Sequence, residues 1–451
     1  MTLRFGTDGV RGVANRDLTP ELVTALGRAA ARVLGADRPF VVGRDTRRSG
    51  PLLEAALVAG LCSEGADVER VGVLPTPGVA YLAQMFDAPA AVLSASHNPY
   101  PDNGVKLFAR GGRKIADAPE ERIETELRRL VDAGAGDGPE GPGVGVVRDR
   151  LGGAADYIAH LSAALGDRRL DGQSVVVDCG NGAAFEVAPW ALRVRGAWVR
   201  VLHDEPDGTN INAGCGSTDP AELQQAVVAA GADAGLAFDG DADRVIAVDE
   251  RGNLVDGDQM LAIIALDLHE RGELRGDAVV ATVMSNLGLR HALAEHGIEM
   301  VETPVGDRNV LTALEERGLS LGGEQSGHVI LADLATTGDG TLTGMLLLDV
   351  MARRGRPLSE LAAVVEPLPQ VLRSVQVGDG AGAGLEHDGA FRAELEAVEQ
   401  QLGTDGRVLV RPSGTEPVVR VMVEAPTLEQ AESAATRLAA AVERACGSRE
   451  L

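Results

Sequence analysis

Three carboxylates occupy alternate positions of one short segment, at Asp239, Asp241 and Asp243. Like charges this close repel one another, so a bound cation would stabilise their ionised forms. An all-oxygen ligand set favours a hard ion, and a site that still needs ligands favours Mg²⁺ completed by a phosphate oxygen. The segment therefore predicts a magnesium site.

Two other kinds of site share this pattern. An EF-hand loop also begins with alternating Asp and would end at Glu250, but Arg244 stands where that loop needs Gly, and the flanking residues predict strands rather than helices. The sequence Asp241-Ala242-Asp243-Arg244-Val245 also fits the DxDx[TV] pattern of phosphatases with an aspartate nucleophile. That second alternative stays open.

A candidate nucleophile lies in Ser94-Ala95-Ser96-His97-Asn98-Pro99, after the apolar strand predicted at residues 89–93. A serine at the end of a strand is exposed, and here an imidazole and an amide flank it in a turn that Pro99 stiffens. Both Ser94 and Ser96 are candidates. The alternative is a turn whose hydroxyl groups only satisfy backbone N–H groups.

A candidate sugar site lies in Gly323-Glu324-Gln325-Ser326-Gly327-His328. Glu324 offers an acceptor and Ser326 a donor for sugar hydroxyls, and His328 is a candidate general base. An ion-paired glutamate is the alternative. Lys106 follows a predicted turn and is expected near Ser96, although a solvated lysine is the default interpretation.

A candidate phosphate site lies in Arg411-Pro412-Ser413-Gly414-Thr415-Glu416-Pro417. Gly414 allows backbone N–H groups to converge, and the hydroxyl and guanidinium groups add donors that suit an anion. Those donors are Arg411, Ser413, Thr415 and the nearby Arg420. A tight turn bounded by prolines is the alternative.

The first three segments occupy the same place in a repeated pattern of strands and helices. The strand–helix alternation over residues 40–93 recurs over residues 175–238 and 279–321, and each polar segment follows the last strand of its unit. Such alternation predicts mostly parallel sheets, with ligands beyond the carboxyl ends of the strands. We therefore predict an α/β fold of three similar mixed-sheet βαβαβ-type domains and a smaller C-terminal α+β domain. The predicted limits are 1–150, 151–253, 254–367 and 368–451.

Composition excludes several classes of function. The net charge of −25 argues against nucleic acid or an anionic membrane surface as the main partner. No apolar run reaches the ~20 residues of a membrane span, and the N-terminus lacks the apolar stretch of a signal peptide. The four cysteines form no CxxC pair, so neither a disulfide framework nor a thiolate metal site is indicated. We expect a cytoplasmic protein.

Five motifs together resemble those of the α-D-phosphohexomutases, most closely the bacterial members that act on glucosamine phosphates. In family order they are Thr7–Gly12, Ser94–Pro99, Asp239–Arg244, Gly323–His328 and Arg411–Pro417, and they cover nearly the whole chain. The resemblance implies four domains around one central cleft. It also implies that Ser96, rather than Ser94, is a phosphoserine, and that Asp239, Asp241, Asp243 and an oxygen on Ser96 hold Mg²⁺.

The resemblance implies an activity as well. Phosphoserine 96 would exchange a phosphoryl group with glucosamine 6-phosphate, through a 1,6-bisphosphate, to give glucosamine 1-phosphate for UDP-N-acetylglucosamine and cell-wall synthesis. Glucosamine or glucose 1,6-bisphosphate would be the activator. Lys106 and His328 are the implied acid–base residues, supported by His97 and Arg11. The implied substrate-binding residues are Glu324, Ser326, Arg244, Arg411, Ser413, Gly414, Thr415 and Arg420.

Three alternative functions remain at this point. A sister enzyme would act on glucose or mannose phosphates, a phosphatase would use Asp241 as its nucleophile, and a binding module would hold a sugar phosphate without converting it. The apolar strand directly after Arg244 counts against the phosphatase. The resemblance also suggests a homodimer.

Overall fold

The computed structural model of the chain describes residues 9–133, 138–378, 384, 385, 387–412 and 418–447. They divide into two compact units, one of Met1–Met284 with Ile298–Val364 and one of Ser285–Gly297 with Val365–Leu451. Three mixed sheets belong to the first unit and one antiparallel sheet to the second. Among the described helices, none is long and apolar enough to cross a membrane.

The first sheet has seven strands. They are β1 (Val10–Val13), β2 (Phe40–Arg44), β3 (Val68–Val73), β4 (Ala90–Leu93), β5 (Asp102–Ala109), β6 (Arg113–Lys114) and β7 (Val147–Asp149). Their spatial order is β1-β5-β4-β2-β3-β7, with β6 paired to β5. The helices of this region are α1 (Pro20–Leu34), α2 (Gly50–Ser63), α3 (Thr76–Phe86) and α4 (Asp117–Ala133). The central strands β2 and β4 are apolar and buried, as expected of parallel strands covered on both faces.

The second sheet follows along the chain in the order β12-β11-β10-β8-β9. Its strands are β8 (Ser174–Asp178), β9 (Trp198–Leu202), β10 (Ala234–Phe238), β11 (Val245–Asp249) and β12 (Leu254–Val255). The helices of this region are α5 (Gly153–Ala164), α6 (Val187–Val194) and α7 (Ala221–Ala230).

The third sheet has the order β14-β13-β15-β16. Its strands are β13 (Ala278–Thr282), β14 (Glu299–Thr303), β15 (Leu321–Gly323) and β16 (Val329–Leu331). The helices of this stretch of chain are α8 (Gly257–Glu270), α9 (Leu287–Glu295), α10 (Asp307–Arg317), α11 (Gly340–Arg354) and α12 (Leu358–Ala362), of which α9 belongs to the second unit.

One arrangement of strands recurs in all three sheets. Three parallel strands are followed by an antiparallel return strand, in the orders β3-β2-β4-β5, β9-β8-β10-β11 and β14-β13-β15-β16. Each polar segment singled out in the first unit therefore connects the last parallel strand of its sheet to the return strand. The predicted α/β fold with mixed sheets is confirmed.

The return strand β5 is the main element that sequence analysis does not predict. Asp102-Asn103-Gly104 has the composition of a turn, but pairing with β1 makes these residues part of a strand, and β4 pairs with the other side of that strand from Val105 onward. Tertiary pairing thus overrides the local preference. The consequence is that Lys106 is held in a sheet, opposite Val92 of β4.

The second unit is a smaller α+β domain, as predicted. Strands β17 (Gln370–Gln376), β18 (Arg407–Pro412) and β19 (Val418–Glu424) form an antiparallel sheet with β19 in the centre. Helices α13 (Gly389–Leu402) and α14 (Leu428–Cys446) share one apolar core with that sheet.

A buried carboxylate joins α11 to α5 in the first unit. Asp339 caps α11, because its Oδ1 accepts from the Leu342 N–H at 2.9 Å, and its Oδ2 accepts from the Tyr157 hydroxyl at 2.7 Å. Burial raises the pKa of Asp339 to about 6 in spite of these bonds.

We expect the stability of the protein to depend on the ionisation of Asp339. An unfolded aspartate has a pKa near 3.9, so the carboxyl is protonated more readily in the fold, and its ionisation above about pH 6 costs the folded state about 3 kcal/mol. From about pH 4 to about pH 7 the free energy of unfolding should therefore fall by that amount relative to Asp339→Asn, which keeps the helix cap. Urea unfolding of both proteins across this range measures it, and a constant difference would contradict the expectation.

Candidate active site

The loops that follow β4 and β10 lie against each other. Ser96 Oγ donates to Asp239 Oδ2 at 2.5 Å, and Ser96 is 1 % exposed. One carboxylate oxygen from each of Asp239, Asp241 and Asp243 lies within 4.8 Å of the others. The serine and the acidic triad, which the sequence presents separately, therefore belong to one site.

The acidic triad fits a divalent cation. Oδ1 of Asp241 and Oδ1 of Asp243 are buried without a hydrogen-bond partner among the described residues, which is costly for carboxylate oxygens. Burial raises the pKa of Asp239 well above its usual range, and the charges of Asp243 and Asp241 raise it further. A cation at this point would satisfy the free oxygens and offset the repulsion.

Lys106 supplies one positive charge to the triad. From the return strand β5 its Nζ donates to Asp241 Oδ2 at 2.7 Å and to Asp243 Oδ2 at 2.9 Å. Burial raises the pKa of Asp243, but Lys106, His328 and Arg244 outweigh it and hold the pKa well below its usual range. Lys106 thus lies in the same site as Ser96, as expected from the sequence.

His97 is held as a neutral imidazole beside Ser96. Its Nδ1 lies 3.4 Å from Ser96 Oγ, and Arg244 Nη1, which can only donate, lies 3.3 Å from the same nitrogen. Burial lowers the pKa of His97, and the charges of Arg244 and Arg11 lower it further. Arg11 lies on β1, opposite Gly104 of β5.

His328 lies behind the triad. Its Nε2 accepts from the Gly338 N–H at 3.2 Å, so Nδ1 carries the proton and faces Asp243 Oδ1 at 3.7 Å. Burial lowers the pKa of His328, but the nearby carboxylates of Asp243 and Asp307 outweigh it and raise the pKa. His328 is 2 % exposed, so protein groups surround its ring and shield it from solvent.

The sugar segment adjoins the triad through the backbone. Glu324 Oε1 accepts from the Gly306 N–H at 3.1 Å, and the exposed Ser326 hydroxyl donates to Glu324 Oε2 at 3.3 Å. Gly327 has a φ of +85°, and a Cβ there would lie 1.9 Å from the Val245 carbonyl oxygen. Only glycine permits this approach of the segment to the first residue of β11.

The described part of the phosphate segment lies in the second unit. Arg411 of β18 and Arg420 of β19 are cross-strand partners. Like charges directly opposite each other on a sheet are destabilising, so this pair suits an anion. Ser413, Gly414 and Thr415 lie outside the described residues.

Three residues that contact the site are missed by sequence analysis. Thr76 donates its hydroxyl to Asp241 Oδ2 at 2.5 Å and its N–H to the Asp241 carbonyl at 2.9 Å. Asp45 and Arg47, both fully buried, support the Ser96 loop. The sequence could have indicated Asp45 and Arg47, because both follow the apolar strand β2 at the same edge of the sheet as Ser96.

Family models match the chain from end to end. They describe the phosphoglucomutase/phosphomannomutase alpha/beta/alpha domain I over residues 2–132, domain II over 155–252, domain III over 256–368 and the C-terminal domain over 372–441. The chain belongs to the phosphoglucomutase/phosphomannomutase family. The resemblance found in the motifs is thereby confirmed, whereas the domain limits predicted from the sequence stay predictions.

Similar curated proteins carry a more specific name. Phosphoglucosamine mutase of Salinispora tropica is 57% identical over 450 residues, which cover 98% of this chain and 98% of the relative. Phosphoglucosamine mutase of Streptomyces avermitilis is 55% identical over 451 residues, 98% of this chain and 99% of the relative.

Solved structures share the fold over the full length. A crystal structure of a phosphoglucomutase/phosphomannomutase family protein from Burkholderia thailandensis has a TM-score of 0.84 and 28% identity, covering 100% of this chain and 99% of that one. N-acetylphosphoglucosamine mutase of Aspergillus fumigatus, solved with GlcNAc-6P and magnesium, has a TM-score of 0.71 and 18% identity, covering 99% and 96%. The second likeness concerns the fold alone.

We expect the acidic triad to bind Mg²⁺ or Mn²⁺. Asp241→Asn removes one negative charge and one oxygen ligand, so the dissociation constant for Mn²⁺ should rise at least about tenfold. Isothermal titration calorimetry measures it. Asp249→Asn is the control. That buried carboxylate lies at the end of β11, the strand that follows the triad loop, and it accepts from the N–H groups of Arg251 and Asn253. Equal Mn²⁺ affinity of both variants would contradict a triad site.

Proposed function

We propose that this chain interconverts glucosamine 6-phosphate and glucosamine 1-phosphate, with Ser96 as the carrier of the transferred phosphoryl group. The observation that carries the proposal is the hydrogen bond of Ser96 Oγ to Asp239, inside a triad with buried and unpartnered carboxylate oxygens. The names of the bacterial relatives support the amino sugar as substrate.

Asp239, Asp241, Asp243 and a phosphate oxygen on Ser96 would hold Mg²⁺, which supplies positive charge to the phosphoryl group during transfer. The remaining charge comes from the chain itself. Lys106 spans Asp241 and Asp243, and Arg244 lies beside His97. Both cations stabilise the charge that spreads over the phosphoryl oxygens in the transition state.

Two transfers in opposite directions complete the reaction. In the first, the bond from phosphorus to Ser96 Oγ breaks and Oγ takes up a proton, while a bond to the sugar O1 forms and the proton of the O1 hydroxyl passes to a base of the enzyme. The 1,6-bisphosphate then turns around. In the second, phosphorus leaves O6 for Ser96 Oγ, the Oγ proton passes to a base, and O6 takes up a proton. A 1,6-bisphosphate of glucosamine or glucose would phosphorylate Ser96 at the start, as the activator.

The other site residues have roles in this proposal. Glu324 and Ser326 bind the hydroxyls of the sugar in both of its orientations. The phosphate that is not transferred is bound by Arg411, Ser413, Gly414, Thr415 and Arg420. Lys106 is the proton donor and acceptor nearest the triad, supported by His97 and Arg11. His328 orients Asp243, which it faces through Nδ1, and is the second acid–base candidate.

A phosphatase with Asp241 as nucleophile is the less favoured function. Oδ2 of Asp241 accepts from both Thr76 and Lys106, and the side chain is fully buried. These bonds engage Oδ2, and in the proposed site Oδ1, which has no partner among the described residues, would bind the cation rather than attack phosphorus.

Ser96→Ala tests the carrier. We expect this variant to take up no phosphoryl group from labelled glucose 1,6-bisphosphate and to lose mutase activity, because no other group replaces Oγ. In the wild type the label should survive hydroxylamine, as a serine phosphate does and an acyl phosphate does not. Ser94→Ala, which leaves Oγ of Ser96 in place, should still take up label. Hydroxylamine-sensitive label in Ser96→Ala would establish an aspartate nucleophile instead.

The substrate is tested by turnover of glucosamine, glucose and mannose 6-phosphates, each with its bisphosphate and Mg²⁺. We expect the highest kcat/KM for glucosamine 6-phosphate, and a preference for glucose or mannose would replace the substrate while leaving the mechanism.

A homodimer is also part of the proposal. Light scattering after gel filtration measures the molecular mass that tests it.

A further inference from the structure

Backbone strain is concentrated around the candidate active site. Ser96 has a φ of +52°, in the left-handed region that only glycine adopts freely. Among the described residues, eight that are not glycine have a positive φ, and Ser96 is one of them. Four more of the eight lie in the adjoining loops, namely Asn181, His203, Asn212 and Ala242. For Ser96, His203 and Ala242 this conformation costs roughly 1 kcal/mol or more and persists only where the surroundings enforce it, whereas Asn tolerates it better.

Arg47, which follows β2 of the first sheet, holds the Ser96 loop of that sheet in place. Its guanidinium donates to the carbonyl oxygens of Ser96 at 2.8 Å, Asn98 at 2.7 Å, Pro99 at 2.6 Å and Asp102 at 3.1 Å. Asp45 fixes the guanidinium through Nε at 2.8 Å. Asp45 also accepts from the Ser94 hydroxyl at 2.7 Å, and that hydroxyl accepts from the Ser96 N–H at 2.9 Å.

Asn212 holds the same loop from the second sheet. Its Nδ2 donates to the Ser96 carbonyl at 2.9 Å and to the Asn98 carbonyl at 3.2 Å. These are two of the four carbonyls that Arg47 binds. Each of the two oxygens therefore accepts one hydrogen bond from the Arg47 side and one from the Asn212 side, which uses both of its lone pairs.

The loop that carries Asn212 is itself fixed at the end of β8. Asp178 accepts from the Gly180 and Gly216 N–H groups, both at 2.9 Å, and pairs with His203 Nδ1 at 3.0 Å, while the Asn212 N–H donates to the Gly180 carbonyl. Asp178, His203 and Cys215 could together hold a metal. Both oxygens of Asp178, however, already accept backbone N–H groups, from Gly180 and Gly216. The group anchors the loop by hydrogen bonds.

We propose that Arg47 and Asn212 are positioning residues that clamp the Ser96 loop between the first and second sheets and so aim Oγ at the acidic triad. The inference rests on the proposed function of Ser96 as phosphoryl carrier. Gly240, in the triad loop, completes the fit, because a Cβ there would lie 2.6 Å from the Ser96 carbonyl oxygen. A serine released from the clamp would relax out of the left-handed region and carry its phosphoryl group away from the triad.

Asn212 allows the sharper test. Arg47 is fully buried and its loss would endanger folding, whereas Asn212 is half-buried. Asn212→Asp keeps the shape and tolerates a positive φ but cannot donate, and Asn212→Gly removes the amide without adding charge or strain. Asn210→Asp is the matched control. Asn210 lies in the same loop and donates to the Glu205 carbonyl at 3.0 Å, without a described bond to the Ser96 loop.

The measurements are kcat and KM for glucosamine 6-phosphate, the rate of phosphoryl uptake by Ser96 from glucose 1,6-bisphosphate, and the thermal midpoint. For both Asn212 variants we expect kcat and the uptake rate to fall about tenfold or more, because a shift near 1 Å at a reacting atom can cost up to about 10²-fold. KM should stay within about twofold, since the described side-chain contacts of Asn212 are with the Ser96 loop, and the midpoint should match that of Asn210→Asp.

The opposite results are equally distinct. If both Asn212 variants keep the kcat and uptake rate of Asn210→Asp, or lose activity only in step with their thermal midpoint, the clamp is wrong while the proposed function stands. If the wild type itself takes up no phosphoryl group on Ser96, the proposed function fails, and the inference fails with it.

Discussion

The mutual repulsion of Asp239, Asp241 and Asp243 is the constraint on which the rest of the site depends. Three carboxylates cannot be buried together as anions without positive charge close by. The chain supplies two cations, Lys106 from β5 and Arg244 at the end of the triad loop, and His328 turns its Nδ1 toward Asp243. Since buried oxygens of Asp241 and Asp243 lack partners among the described residues, these residues leave the charge incompletely balanced. In the proposed reaction a phosphate on Ser96 would add to this imbalance, so electrostatics would couple the binding of the metal to the presence of the phosphate.

The fold meets this constraint by using one arrangement three times. In each of the first three sheets the last parallel strand leads into a polar loop and then into an antiparallel return strand. The loops supply Ser96, the triad and Glu324. The return strand β5 carries Lys106, and Arg244 and His328 directly precede the return strands β11 and β16. Because Gly240 and Gly327 have no side chain, the backbone of each lies directly against the backbone of the neighbouring loop or strand. Sheets that differ in strand number thereby contribute to one centre.

The sequence contained most of this site, for a physical reason. Ser96, the acidic triad and Glu324 all follow apolar segments whose period and length identify strands, and the carboxyl edge of a parallel sheet is where ligands bind. Lys106 follows a turn signal instead, within a strand that the sequence did not predict. Thr76 and Asn212 could not be found in the same way. Their contacts are with groups that follow another sheet and lie more than 100 residues away along the chain, and nothing in the local pattern records such a distance. Conversely, His328 was evident as a titratable residue, but its place behind Asp243 was not.

The return strands have a consequence for how such a chain can change in length. Lys106 lies opposite Val92 because the connection between β4 and β5 has a fixed number of residues. One inserted residue there would shift β5 against β4 and turn the side chain of Lys106 to the other face of the sheet. Insertions and deletions should therefore be excluded from these connections and accumulate at the opposite edge, as between α4 and β7. Loops that are usually the most variable parts of a protein are here the ones whose length evolution must conserve.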